Sequence, residues 1–203
     1  MTLNPKDICV VANPGSGKQK RAAIEAAMTA FGPEVTLRHW RKGQDLEAFV
    51  AKAVADGFST IVAAGGDGTV MGVAHALMGT QANLAVLPLG TFNYFARGLG
   101  LPQEPEAAAK AILAGHPQRI SVGTVNGQLF LNNASIGIYP TILQAREDIY
   151  ARMGRSRLLA HWSVLRTLLR FQRPARMQLV ADGQAMSLKT PLIFIARSAY
   201  QLE

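Results

Sequence analysis

The 203-residue sequence is poor in cysteine, in tryptophan and in acidic groups: it has one Cys, two Trp and 13 Asp plus Glu, and charged residues make up only 17% of it. A lone Cys9 excludes a disulfide framework within the chain and a cysteine-rich zinc site, and it suits a reducing compartment. No apolar run reaches the roughly 18 to 20 residues that a membrane-spanning helix requires. The opening MTLNPKDICVVAN lacks the basic, apolar and small-residue segments of a secretory signal, so a soluble, cytoplasmic chain is expected. Repeats, low-complexity tracts and long linkers are absent from the sequence. Neither a Ser/His/Asp set nor a metal-ligand spacing of His39, His75, His116 and His161 can be nominated, and these histidines read as structural or surface residues. What is abundant is apolar: 49% hydrophobic residues suffice for a buried core and exclude disorder as the default. The 21 Lys plus Arg leave a formal net charge of +8, which points to phosphates, nucleic acid or an anionic membrane as partners.

Apolar runs of strand length alternate with helix-like segments through the first part of the chain. Strands are predicted at Ile8–Ala12, Val35–Trp40, Thr60–Ala64 and Leu84–Leu87. Helices are predicted at Lys18–Phe31, Asp45–Asp56 and Thr69–Met78, where Ala, Val, Ile and Leu recur every three to four residues. Glu106–Ala114 reads as a further helix, ended by Gly115. This alternation is the signature of an α/β, Rossmann-like parallel sheet with crossover helices. From about residue 118 the pattern turns β-rich. Asn126-Gly127 and Asp182-Gly183 each sit between short β-prone runs and predict hairpins. Ser156–Gln172 reads as an inserted helix, and Leu192–Ala196 as a last strand. The expectation is thus an α/β domain over 1–117 and a partial antiparallel β-sandwich over 118–203.

Three turns follow predicted strands of the first domain, and in an open parallel sheet such turns gather at the carboxyl edge, where ligands bind. In Asn13-Pro14-Gly15-Ser16-Gly17-Lys18 the glycines let main-chain N–H groups approach an anion and Lys18 adds charge. Gln19 and Lys20 exclude a Walker A loop and a dinucleotide fingerprint. A phosphate loop and a ligand-free tight turn both fit. Gly65-Gly66-Asp67-Gly68-Thr69 joins a buried strand to a helix start. Its glycines, carboxylate and hydroxyl form a compact place for phosphate oxygens and for a metal or a proton acceptor, against the plainer reading of Asp67 as a helix cap. Gly90-Thr91-Phe92-Asn93 follows the fourth strand, with Arg97 one helical turn beyond Asn93. It reads either as a set of donors for a ligand or as a capped helix start carrying two core Phe residues, Phe92 and Phe95.

NPGSGK, AAGGDGTV and PLGTFNYFAR, in this order and spacing, resemble the diacylglycerol kinase catalytic-domain family, which includes bacterial lipid kinases and sphingosine kinases and is more distantly similar to NAD kinases. The resemblance extends through FLNNASIGI into the β-rich part. It implies ATP with Mg²⁺ as cofactors and transfer of the γ-phosphoryl group to a lipid hydroxyl, on diacylglycerol or a sphingoid base. It also implies nucleotide contacts from Asn13, Gly15, Ser16 and Gly17, from Gly65, Gly66, Gly68 and Thr69, and from Gly90, Thr91 and Asn93. Asp67 is the implied catalytic residue, handling phosphate, metal or proton, and the N–H groups of Gly66, Gly68 and Thr69 are the expected phosphate donors; metal ligands are not identified. Trp40, Met71, Gly72 and Tyr94 depart from the family pattern. The family's later Asp-Gly-Glu carboxylate motif is missing, and Asp182-Gly183-Gln184 does not replace it.

Eight arginines against Glu147 and Asp148 give residues 146–176 a net charge of +6. Leu158, Leu159, Trp162, Leu165, Leu168 and Leu169 recur there at helical spacing, so the segment reads as a basic amphipathic helix. It either packs on the β domain or makes peripheral contact with an anionic membrane at its inner face. The other functions open to the sequence are a non-catalytic nucleotide-binding relative, an NAD kinase-like phosphotransferase acting on a soluble acceptor, and, from charge alone, a nucleic-acid-binding protein.

Overall fold

The computed structural model describes residues 3–12, 17–41, 43–137 and 174–196. They fall into two compact units, residues up to Asn132 and residues 133–196. In the first unit β1 (Ile8–Ala12), β2 (Thr36–His39), β3 (Thr60–Gly65) and β4 (Asn83–Pro88) form a parallel sheet in the order β2-β1-β3-β4. Helices α1 (Gly17–Phe31), α2 (Leu46–Ala55) and α3 (Asp67–Leu77) follow the first three strands, and α4 (Tyr94–Gly98) and α5 (Pro105–Ala114) follow the fourth. The fold is α/β, as the alternation predicts.

β1 and β3 are buried along their whole length, because both faces of the sheet are covered by helices. Cys9, Val11, Ile61 and Ala63 point to the face packed by α2 and α3. Ile8, Val10, Val62 and Ala64 point to the face packed by α1 and α5. The two-residue alternation of a strand therefore separates two apolar layers. α2 starts cleanly because the Asp45 side chain accepts the Glu47 and Ala48 N–H groups at 2.9 and 3.1 Å.

Gly72, one of the departures from the family pattern, has a packing reason. A Cβ there would come within 2.6 Å of Leu46 Cδ2, so a glycine lets α3 lie close to the start of α2. Beyond it the two helices are tied by His75 Nδ1 and Glu47 Oε1, 2.8 Å apart.

Strands β5 (Gly123–Val125) and β6 (Gln128–Phe130) form the first hairpin. Asn126 and Gly127 turn it with φ of 51° and 77°, the left-handed pair that a tight two-residue hairpin demands. This hairpin belongs to the first unit, because Leu129 and Leu131 are buried in the layer that holds α2 and α3.

In the second unit β8 (Ala175–Ala181) and β9 (Gln184–Thr190) form the other hairpin, turned by Asp182 and Gly183, and β7 (Asn133–Gly137) pairs antiparallel with β10 (Leu192–Ala196). The extra strands are antiparallel, as expected, and among the described residues they pair two by two. The predicted helix Ser156–Gln172 and most of the basic segment lie outside the described residues. No helix among the described residues is long and apolar enough to cross a membrane.

Candidate active site

Strand register decides what meets at the carboxyl edge. Ala12 of β1 lies level with Ala64 of β3, and Ala64 lies level with Leu87 of β4. The chain leaves β1, β3 and β4 in the same direction and at the same height, so the turns that follow begin at one edge of the sheet. Of the first turn, Asn13, Gly15 and Ser16 lie outside the described residues, and Gly17 is the first residue of α1.

The other two turns are in contact. A Cβ built on Gly90 would stand 2.5 Å from Gly66 Cα and 2.7 Å from Asn93 Oδ1, and one built on Gly66 would stand 3.2 Å from Gly90 Cα. Main chain here rests on main chain, which only glycine permits. The Leu89 N–H donates to the Gly65 carbonyl at 2.9 Å and carries the β3–β4 pairing up to the point of contact. Gly65 is constrained in a third way: a Cβ would strike Thr69 Oγ1 at 2.5 Å, so the Thr69 side chain packs over the bend.

Asp67 is the first residue of α3 and Gly66 is its N-cap. The carboxylate does not cap its own helix. Its Oδ1 instead accepts the Phe95 N–H at 3.1 Å, in the first turn of α4, and the Asn132 side-chain amide lies 3.5 Å from the same oxygen. A carboxylate gripped from two other elements is held in one orientation. The Thr69 N–H donates to the Gly66 carbonyl at 2.9 Å and is engaged within the turn. The Asp67 and Gly68 N–H groups lie in the opening turn of α3, where no carbonyl one turn back exists for them.

Asn93 is 8% exposed and left-handed, with φ of 52°. Its Oδ1 accepts the Gly90 N–H at 2.8 Å, and its Nδ2 donates to the Gly90 carbonyl at 3.1 Å and to Gln103 Oε1 at 3.4 Å. Asn93 thus shapes the turn that bears Gly90 and Thr91. Of the two phenylalanines read as core, Phe95 is buried, whereas Phe92 is 61% exposed. The reason is the left-handed bend at Asn93, which sends Phe92 outward to stack on Tyr94 with ring centroids 5.3 Å apart. Arg97 donates from Nε to the Phe92 carbonyl at 2.9 Å.

Trp40 packs against the α2/α3 layer and donates Nε1–H to the Gln44 carbonyl at 3.0 Å, closing the turn before α2. No signal in the sequence pointed to Asn132 or to the Phe95 N–H as partners of Asp67. Both contacts depend on how β3, α4 and the first hairpin are packed.

The first unit is thus a doubly wound α/β unit with two interlocked glycine turns at its carboxyl edge and a clamped carboxylate on one of them. Residues 7–125 match the family model described as the diacylglycerol kinase catalytic domain, and the chain belongs to that family. It is 45% identical over 153 residues to a Pseudomonas aeruginosa protein named "Probable lipid kinase YegS-like", covering 73% of this chain and 50% of that one. A Pseudomonas putida protein of the same name is 46% identical over 123 residues, covering 59% and 41%. The chain spans about half the length, or less, of these curated relatives. Its fold is similar to that of a crystallised diacylglycerol kinase from Bacillus anthracis str. Sterne, with a TM-score of 0.67 and 24% identity over 95% of this chain and 64% of that one.

Proposed function

We propose that this chain carries the nucleotide-binding half of an ATP-dependent lipid kinase, which transfers the γ-phosphoryl group of ATP to a lipid hydroxyl such as that of diacylglycerol or a sphingoid base. The observation that carries the reading is the contact of Gly66 with Gly90 beside Asp67: two glycine turns pack main chain on main chain where α3 starts. Phosphates fit such a place, since the first-turn N–H groups and the helix dipole attract anions.

In this reading the main chain at Gly66, Asp67 and Gly68 binds phosphate oxygens, Thr69 keeps the bend closed over Gly65, and Gly90 and Thr91 approach from the facing turn. Residues 13–17 complete the nucleotide contacts, and residues 1–117 form the nucleotide domain. Asp67 would stand among phosphate oxygens and water as a ligand for Mg²⁺, or take the proton of the acceptor hydroxyl on its carboxylate. Mg²⁺, when bound, would neutralise phosphate charge during transfer. Asn93, Phe95 and Asn132 hold these groups in place, and positioning is most of what phosphoryl transfer asks of a protein. The Arg-rich segment 146–176 would draw the enzyme to an anionic membrane surface from the cytoplasmic side.

The test is transfer of labelled γ-phosphate from ATP to diacylglycerol and to sphingosine in vesicles, beside ATP affinity, for the parent and for Asp67→Ala. Transfer by the parent with at least a hundredfold loss in the variant is expected. ATP binding without transfer to any lipid would mark a non-catalytic relative, and a parent that neither binds ATP nor transfers phosphate would overturn the reading.

A further inference from the structure

The Asp67 carboxylate has two oxygens, and the fold engages one of them. Oδ1 accepts the Phe95 N–H at 3.1 Å and lies 3.5 Å from Asn132 Nδ2. Among the described residues Oδ2 accepts no hydrogen bond, and no cation pairs with the carboxylate. The two donors differ in kind. The Phe95 N–H is main chain and would be present with almost any residue at that position. The second donor is present only because residue 132 is an asparagine.

The first hairpin is what brings Asn132 there. Its second strand, β6, packs against α3, the helix that begins with Asp67. Leu129 is buried on β6, and Leu131, just beyond it, is 2% exposed in the layer shared with α2 and α3. The Phe130 ring lies over Gly123, where any Cβ would collide with it. With these neighbours seated, Asn132 meets the start of α3 across 65 residues of sequence. An amide that faces a carboxylate presents its nitrogen, because oxygen set against oxygen repels. Asn132 also lies outside the segment 7–125 that matches the family model, so the surroundings of Asp67 are not complete within that segment.

We propose that Asn132 is a positioning residue for phosphoryl transfer: with the Phe95 N–H, its amide fixes the plane of the Asp67 carboxylate and leaves Oδ2 as the working oxygen. The proposal rests on the lipid-kinase reading above. One N–H alone lets the carboxylate turn about its Cβ–Cγ bond while the hydrogen bond persists. A second donor on the same oxygen, arriving from a different element, removes that freedom. A carboxylate that turns spends part of its time misdirected, and the loss falls on turnover. ATP binding is spared, because in this reading the main chain of the glycine turns holds the phosphates.

The test compares the 203-residue chain with Asn132→Ala, which removes the donor, and Asn132→Asp, which keeps the shape but sets an acceptor against Oδ1. In the vesicle assay kcat should fall by about ten- to hundredfold in the alanine variant and further in the aspartate variant, with KM for ATP and ATP affinity within about twofold of the parent. Were Asn132 there only to fill space, the same-shaped aspartate would be the milder change. An alanine or aspartate variant that turns over like the parent, an aspartate variant more active than the alanine one, or a loss confined to KM would overturn the proposal. A second measurement does not depend on transfer: urea midpoints of the parent, Asp67→Ala, Asn132→Ala and the double variant. Asn132→Ala should shift the midpoint less in Asp67→Ala than in the parent, since its partner is already gone. Equal shifts would mean that the two side chains do not interact, and would overturn the proposal too. A parent without transfer would sink the kinase reading; unequal shifts would then keep Asn132 as the residue that orients Asp67, and equal shifts would discard both.

Discussion

The carboxylate of Asp67 and the main chain of Phe95 meet across 28 residues of sequence: Oδ1 accepts the Phe95 N–H at 3.1 Å and so holds the start of α4 against the start of α3. On the proposed function, one side chain has two separable duties, a structural one through its hydrogen bond and a chemical one through its charge. Asp67→Asn keeps an oxygen that can accept from Phe95 but removes the charge. Asp67→Ala removes both. Both variants should lose phosphoryl transfer at least a hundredfold. Only the alanine variant should lose stability, by about 1–2 kcal/mol, because it leaves a part-buried N–H without its acceptor. Urea unfolding beside the transfer assay separates the two duties. Equal stability loss in both variants would show that the charge, not the hydrogen bond, supports the fold.

Gly90 and Gly68 should respond in opposite ways to the same added methyl. At Gly90 the new Cβ meets the Gly66 backbone at 2.5 Å, and backbone cannot swing aside. Gly90→Ala is therefore expected to destabilise the chain by about 1–3 kcal/mol, the range for overpacking, and to weaken ATP binding more than tenfold as the two turns part. At Gly68 a Cβ meets nothing within 4 Å, and the residue sits in the first turn of α3. Gly68→Ala should leave stability unchanged or raised by about 0.5–1 kcal/mol. Any loss of ATP affinity in that variant then reports a phosphate lying over the N–H. Thermal melts and nucleotide titration check both.

Asn93 combines a left-handed backbone with a side chain bonded to both polar groups of Gly90. Asn93→Gly removes the bonds but tolerates the backbone; Asn93→Ala removes the bonds and adds the penalty of a left-handed alanine, about 1–2 kcal/mol. Alanine should therefore be the more damaging of the two. Reversal of that order would mean that the turn rearranges when the side chain is lost.

Cys9 lies in the middle of the core on β1, and burial pushes its thiol up to about 11 from 9.0. Between these values the unfolded chain gives up its proton first, so the folded state binds more protons and stability falls as pH rises. Below pH 9 the contribution is complete. The melting temperature of the parent should drop from pH 9 to 11 more steeply than that of Cys9→Ala, and alkylation of the thiol at pH 8 should wait on unfolding. Matching slopes for the two proteins would remove Cys9 as the cause.

Much of the fold was legible before any coordinates. β1 and β10 have the predicted limits, α1, α2, α3 and α5 agree with the predicted helices to within two residues at each end, and Asn126-Gly127 and Asp182-Gly183 turn hairpins. These features are set by local chemistry: the period of apolar side chains, and the ease with which Asn, Asp and Gly take positive φ. The glycine turns could be located for the same reason, since a glycine cluster between a buried strand and a helix start announces itself. The use made of each residue could not. Phe92 and Phe95 are both aromatic and three apart, yet one faces out and the other in, because a single left-handed residue between them redirects the chain.

By itself, then, the sequence determined which segments are strands and helices, where the chain bends, and to which family its motifs belong, because each of these is written within a few neighbouring residues. Tertiary structure alone decided that Gly66 must sit on Gly90 and that Asp67 is clamped by Phe95 and Asn132. Those relationships depend on the register of β3 against β4 and on the packing of helices across the sheet, which bring together residues that share no local pattern.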